Sequence, residues 1–143
     1  MNANMEPIVF VVDDDAAARG AIAAWLEREG LRVEQCDAEQ FVASCSPTLR
    51  GCVILDSSAG VRSGLDVHEH LVARGCELPI IAIAVEGASL ALRTARWSLA
   101  VDFMEKPLDP QQLLAAIRHA LRHAGAVKQA NVPLTAPKPP GAR

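Results

Sequence analysis

The chain has 143 residues, half of them apolar and 22% charged, with a formal net charge of −3. That length suits one domain with a substantial core, and the slightly acidic balance leaves no electrostatic footprint for nucleic acid or an anionic membrane surface. No apolar run approaches the roughly 18 residues of a membrane span, and the opening MNANMEP lacks the basic-then-apolar order of a secretory signal. A cytoplasmic location is therefore expected, with no membrane partner and no direct nucleic-acid binding.

In chain order, IVFVV (8–12) reads as a strand buried on both faces. Residues 16–29 have helical period, with Ala18, Ile22, Trp25 and Leu26 on one stripe and Gly30 where a left-handed cap belongs. LRVEQC (31–36) is a second, less apolar strand, which suits a sheet edge. Asp37 and Gln40 have capping-box spacing and open a short helix through Phe41 and Val42. CVILD (52–56) is the third strand, and a helix starts at Ser63-Gly64-Leu65-Asp66.

LPIIAIAV (78–85) is the fourth strand, Ser89 to Trp97 a weaker helix and AVDFM (100–104) the fifth strand. Asp109-Pro110 starts a last helix that is expected to end near His123. Its Leu113, Leu114, Ile117 and Leu121 form a core stripe, while Arg118 and Arg122 face solvent. Strands alternating with helices imply a doubly wound α/β fold, a five-stranded parallel sheet covered by five helices. The expected organisation is an extension over 1–6, a domain over 7–124 and a disordered proline-rich tail over 125–143. Cys36, Cys45, Cys52 and Cys76 lack zinc-like spacing and read as reduced thiols. The four histidines carry no metal signature; His119 and His123 lie four apart on a helix with no third ligand near.

Ligands of an open parallel α/β sheet bind beyond the carboxyl ends of its strands. There the first strand delivers Asp13, Asp14 and Asp15, the third Asp56, and the fifth is followed by Glu105, Lys106 and Pro107. Like charges gathered this way call for a cation, and Mg²⁺ favours one or two carboxylates with waters and phosphate oxygens. Phosphoryl transfer to a carboxylate suits the set, with Asp56 as nucleophile and Lys106 pairing with the phosphoryl group. Asp15 suits a different task, capping the first helix through the amides near Ala17 and Ala18.

VVDDD, VILD, Ser63-Gly64-Leu65 and VDFMEKP, at spacings that need no gaps, resemble the receiver domain of bacterial two-component response regulators. The likeness covers about residues 7 to 124 and is closest to receivers of transcription-factor-type regulators. It implies a flavodoxin-like fold in which Asp13 and Asp14 position Mg²⁺, Asp56 is the phosphoacceptor and the Ser58 carbonyl contacts the metal. It further implies Lys106 as the phosphoryl-binding lysine before a cis proline bond, and Phe103 as the aromatic switch. The implied partners are a histidine kinase or histidine phosphotransfer protein and a downstream protein. A homodimer through the fourth helix, fifth strand and fifth helix is a further expectation.

The chain departs from the family at four points. Ala84 stands where relatives carry threonine or serine, removing one hydrogen bond to the phosphoryl group. Val85 replaces a smaller residue beside it, Gly60 replaces a proline in the loop after Asp56, and Leu99 replaces a glycine before the fifth strand. Two readings follow. One is a single-domain response regulator in a phosphorelay, phosphorylated on Asp56 with Mg²⁺ and signalling in trans, its catalysis limited to self-phosphorylation and autodephosphorylation. The alternative is a phosphorylation-independent interaction module, a pseudo-receiver. A small hydrolase on a similar sheet fits less well, for want of a second aspartate two residues beyond a nucleophile.

Overall fold

The computed structural model describes residues 6–57, 61–88 and 98–131. The chain runs β1 (Ile8–Val12), α1 (Ala16–Arg28), β2 (Val33–Cys36), α2 (Ala38–Ser44), β3 (Gly51–Asp56), α3 (Val61–Ala73), β4 (Ile80–Ala84), β5 (Ala100–Glu105) and a C-terminal helix (Pro110–Asn131). All strand pairs are parallel, and the order is β2-β1-β3-β4-β5. Four helices thus lie among the described residues; the helix expected over Ser89–Trp97 falls outside them, as do Ser58 and Gly60.

The continuous apolar runs form strands because both sheet faces are covered. Phe10, Val12, Val53, Leu55, Ile80, Ala82 and Ala84 pack on one face against Phe41 of α2 and Val67 and Leu71 of α3. Val9, Val11, Cys52, Ile54, Ile81 and Ile83 pack on the other against Leu26 of α1 and Leu113, Ile117 and Ala120 of the C-terminal helix. Each fully buried aliphatic side chain contributes roughly 1.5–3 kcal/mol. β2 is an edge strand, with Glu34 and Gln35 exposed. At Gly51 (φ 133°) any side chain would strike the Ile8 backbone, which fixes the start of the β1–β3 ladder.

The helix ends follow their capping residues. Asp15 accepts the Ala17 and Ala18 amides at 3.0 and 3.2 Å, and Asp37 and Gln40 form a reciprocal capping box. Gly30 closes α1 with φ 89°. The C-terminal helix corrects one expectation: it continues to Asn131, past His123. Ala-Gly-Ala-Val-Lys-Gln-Ala (124–130) is mostly good helix formers, broken only by Gly125 and Val127, with no proline before Pro133.

Candidate functional site

The carboxyl ends of β1 and β3 and the start of α3 enclose a cavity of about 30 Å³, lined by Val12, Asp13, Asp14, Ala38, Leu55, Asp56, Gly64 and Val67. A volume of that size holds a water or a small cation. Asp56 ends β3, and only 5% of its side chain is exposed. Its Oδ2 lies 2.7 Å from Lys106 Nζ, which arrives from the turn after β5. The Lys106 amide donates to the Ala84 carbonyl at 2.9 Å, and the Lys106–Pro107 bond is cis. The main chain after β5 is therefore fixed to the end of β4, and the ammonium is delivered over Asp56.

Asp13 is buried at the end of β1. Its Oδ1 accepts the Asp15 amide at 2.9 Å, while its Oδ2 is buried without a hydrogen-bond partner among the described residues. Burial pushes the Asp13 carboxyl above its ordinary value, and the facing Asp56 carboxylate raises it further; the Asp15 amide and Lys106 oppose this. The hydrogen bond from Lys106 to Asp56 is the main reason the ammonium holds its proton more tightly than usual. Asp13, Asp56 and Lys106 are thus brought together as one electrostatic unit.

Asp14 lines the same cavity, but its Oδ1 accepts the Ala38 amide at 3.0 Å, at the start of α2. Asp13 and Asp14, expected together at a metal, both line the cavity but have different hydrogen-bond partners. Among the described residues no group of three or more His, Cys, Asp or Glu side chains forms a metal cage. Two facing carboxylates, one with an orphaned buried oxygen, nevertheless suit Mg²⁺, which keeps most of its waters and needs only one or two carboxylates.

The remaining expected residues fall nearby. Ala84 is buried and has no donor on its side chain, and Val85 stands exposed at the rim. Phe103 pairs in register with Ala82 and packs half-buried against the same core face as Ala84. Ser58 lies outside the described residues.

Three residues that sequence reading passed over also shape this end of the sheet. The Arg19 guanidinium donates to the Asp13 carbonyl at 2.7 Å, where the β1 ladder ends. The amide of Ser57 donates to the Ile83 carbonyl at 2.7 Å. His68, buried on α3, accepts the Ser98 and Leu99 amides on Nε2 at 3.1 and 3.3 Å. That ring therefore holds the turn before β5, at Ser98 and Leu99. Of the three, only the Arg19 spacing, one turn beyond Asp15, could have been suspected from sequence.

The response regulator receiver domain model matches residues 9–118. The transcriptional regulatory protein FixJ of Azorhizobium caulinodans is 37% identical over 115 residues, 79% of this chain and 54% of that protein. The response regulator protein TmoT of Ectopseudomonas mendocina is 36% identical over 128 residues, 88% of this chain and 58% of that protein. The chain thus spans little more than half the length of these relatives. Among solved structures, the response regulator StyR superposes with a TM-score of 0.73 at 32% identity, covering 88% of this chain and 64% of that one. The FixJ-N crystal structure superposes with a TM-score of 0.68 at 28% identity, covering 83% and 96%. By its parallel sheet, its acidic rim and these matches, the chain belongs to the response regulator receiver domain family of two-component signalling.

Proposed function

We propose that this chain accepts a phosphoryl group on Asp56 and passes the signal on by protein contacts. The observation that carries this reading is the Asp56–Lys106 ion pair at 2.7 Å beside the orphaned Asp13 oxygen. A carboxylate oxygen of Asp56 attacks phosphorus, and the bond from phosphorus to the donor's leaving atom breaks. The leaving atom, a histidine nitrogen or an acyl oxygen, departs with the bonding pair. Lys106 then pairs with a phosphoryl oxygen instead of with the free carboxylate. Asp13, Asp56 and the free side of Asp14 would hold Mg²⁺, with the Ser58 carbonyl a further proposed ligand; the ion would supply charge neutralisation at the transferring oxygens. Attack of water on the same phosphorus restores the carboxylate and releases phosphate.

The receiver unit is taken as residues 7–124. Receiver domains act with histidine kinases and with partner domains or proteins. The proposed output surface here is the half-exposed strand β5 with the neighbouring face of the C-terminal helix. The second reading, a phosphorylation-independent interaction module, draws on Ala84, whose side chain offers no hydrogen bond where phosphate would sit. The two separate on incubation with Mg²⁺ and acetyl phosphate followed by intact-mass measurement. One added phosphoryl mass, absent in Asp56→Asn, supports the first reading; no adduct in the unaltered protein with any donor supports the second.

A further inference from the structure

β4 ends in Ala84, so the strand beside the acceptor offers no side-chain donor. The cavity itself is lined by carboxylates, which only accept, and by apolar groups. A phosphoryl group on Asp56 would bring three charged oxygens to this rim, and Lys106 is a single cation. One residue beyond Asp56, Ser57 is 5% exposed, and its hydroxyl is buried with no hydrogen-bond partner among the described residues.

The ladder gives its position. Asp56 pairs with Ile83, and the Ser57 amide bonds to the Ile83 carbonyl, so Ser57 and Ala84 flank each other across the β3–β4 seam. Strand alternation puts Ser57 on the face of Val53 and Leu55, which is also the face of Ala82, Ala84 and Phe103. A buried hydroxyl without an acceptor is unfavourable where an alanine would pack freely.

We propose that the Ser57 hydroxyl is the donor that β4 lacks, and that it hydrogen-bonds a phosphoryl oxygen once Asp56 is phosphorylated. The proposal rests on Asp56 being the phosphoacceptor. No bond to Ser57 forms or breaks; its O–H turns from an apolar surround toward the new acceptor. Serine is unbranched at Cβ, so the proposed movement is a change of χ1 rotamer. The site then keeps a hydroxyl contact, with the donor moved from β4 to β3.

The test uses the full chain with Mg²⁺, as the natural sequence, Ser57→Ala and Ser57→Ala with Ala84→Thr. Three quantities are read: phosphoryl incorporation from acetyl phosphate by intact mass, affinity for beryllofluoride as a phosphoryl mimic, and thermal midpoint. Ser57→Ala should weaken beryllofluoride binding and slow incorporation about tenfold, the loss of one hydrogen bond to a charged acceptor. Its midpoint should hold or rise, and Ala84→Thr should restore binding. Unchanged incorporation and affinity in Ser57→Ala would overturn the proposal while leaving Asp56 as acceptor. A loss that follows a fallen midpoint and is not restored by Ala84→Thr would overturn it too, marking Ser57 as structural. Absence of any adduct in the natural sequence would instead remove the phosphoacceptor reading and this proposal together.

Discussion

The Asp14 carboxylate accepts the Ala38 amide at 3.0 Å, joining the β1–α1 corner to the first turn of α2. The three consecutive acids therefore have three tasks: Asp13 faces Asp56, Asp14 holds α2, and Asp15 caps α1. Asp13→Asn keeps the acceptor for the Asp15 amide and removes a like charge, so without metal it should be as stable as the natural protein or more so. Its Mg²⁺ affinity should fall at least tenfold. Asp14→Ala should instead cost about 0.5–2 kcal/mol of stability, the loss of a helix-start hydrogen bond, with a smaller loss of Mg²⁺ affinity. Urea unfolding and Mg²⁺ titration of both variants check this; equal effects on both quantities would contradict the division.

Lys106, itself 36% exposed, offsets the charge of Asp56. Lys106→Met leaves the buried Asp56 carboxylate facing Asp13 without its cation, so it should cost about 1–3 kcal/mol of stability at neutral pH. Phosphoryl incorporation should also slow by more than tenfold, because the ammonium is needed most when charge builds on the transferring group. Single-turnover kinetics with acetyl phosphate separate the two effects.

His68 links α3, which lines the acidic cavity through Gly64 and Val67, to the turn that starts β5. Because Nε2 accepts two amides, the buried ring is neutral, and burial pushes its pKa below the ordinary 6.5; Glu69 opposes this slightly. In the unfolded chain the imidazole binds a proton near pH 6.5, before the folded ring does. Stability from this group is thus complete above about 6.5 and falls as the pH drops from there toward the folded value. His68→Leu should cost about 1–3 kcal/mol by stranding the two amides, and should remove this part of the pH dependence. Denaturant midpoints across pH 5 to 8, with His68→Gln as the variant that keeps an acceptor, measure it.

Burial holds the thiol of Cys52 up at about 12 and that of Cys36 at about 11, the latter helped by Glu34. Among the described residues no disulfide forms, and Cys45, Cys52 and Cys76 are buried. At pH 8 these three should resist alkylation by iodoacetamide in the folded protein and react promptly in denaturant. Mass mapping of labelled peptides checks the order.

The strands were legible because sheets covered on both faces need unbroken apolar runs, as in IVFVV and LPIIAIAV. The caps at Asp15 and Asp37 were legible because their partners lie two or three residues away. Long-range partners were not. The Asp14–Ala38 bond spans 24 positions and the His68–Leu99 bond 31, and neither leaves a local pattern. The extension of the last helix was not legible because the composition changes beyond Gly125 toward the proline-rich stretch, though a lone glycine only weakens a helix among good formers. The candidate site was legible through its strand ends, since topology alone brings Asp13, Asp56 and Lys106 to one rim.

The central claim is that Asp56 carries the phosphoryl group, and borohydride trapping tests it most directly. An aspartyl phosphate is an acyl phosphate, which borohydride reduces to homoserine, whereas a free carboxylate or a phosphohistidine is not reduced in this way. After incubation with Mg²⁺ and acetyl phosphate, reduction and peptide mapping should place homoserine at position 56, and only when donor and Mg²⁺ are both present. Reduction at another carboxylate with position 56 intact, or none at all, would contradict the account.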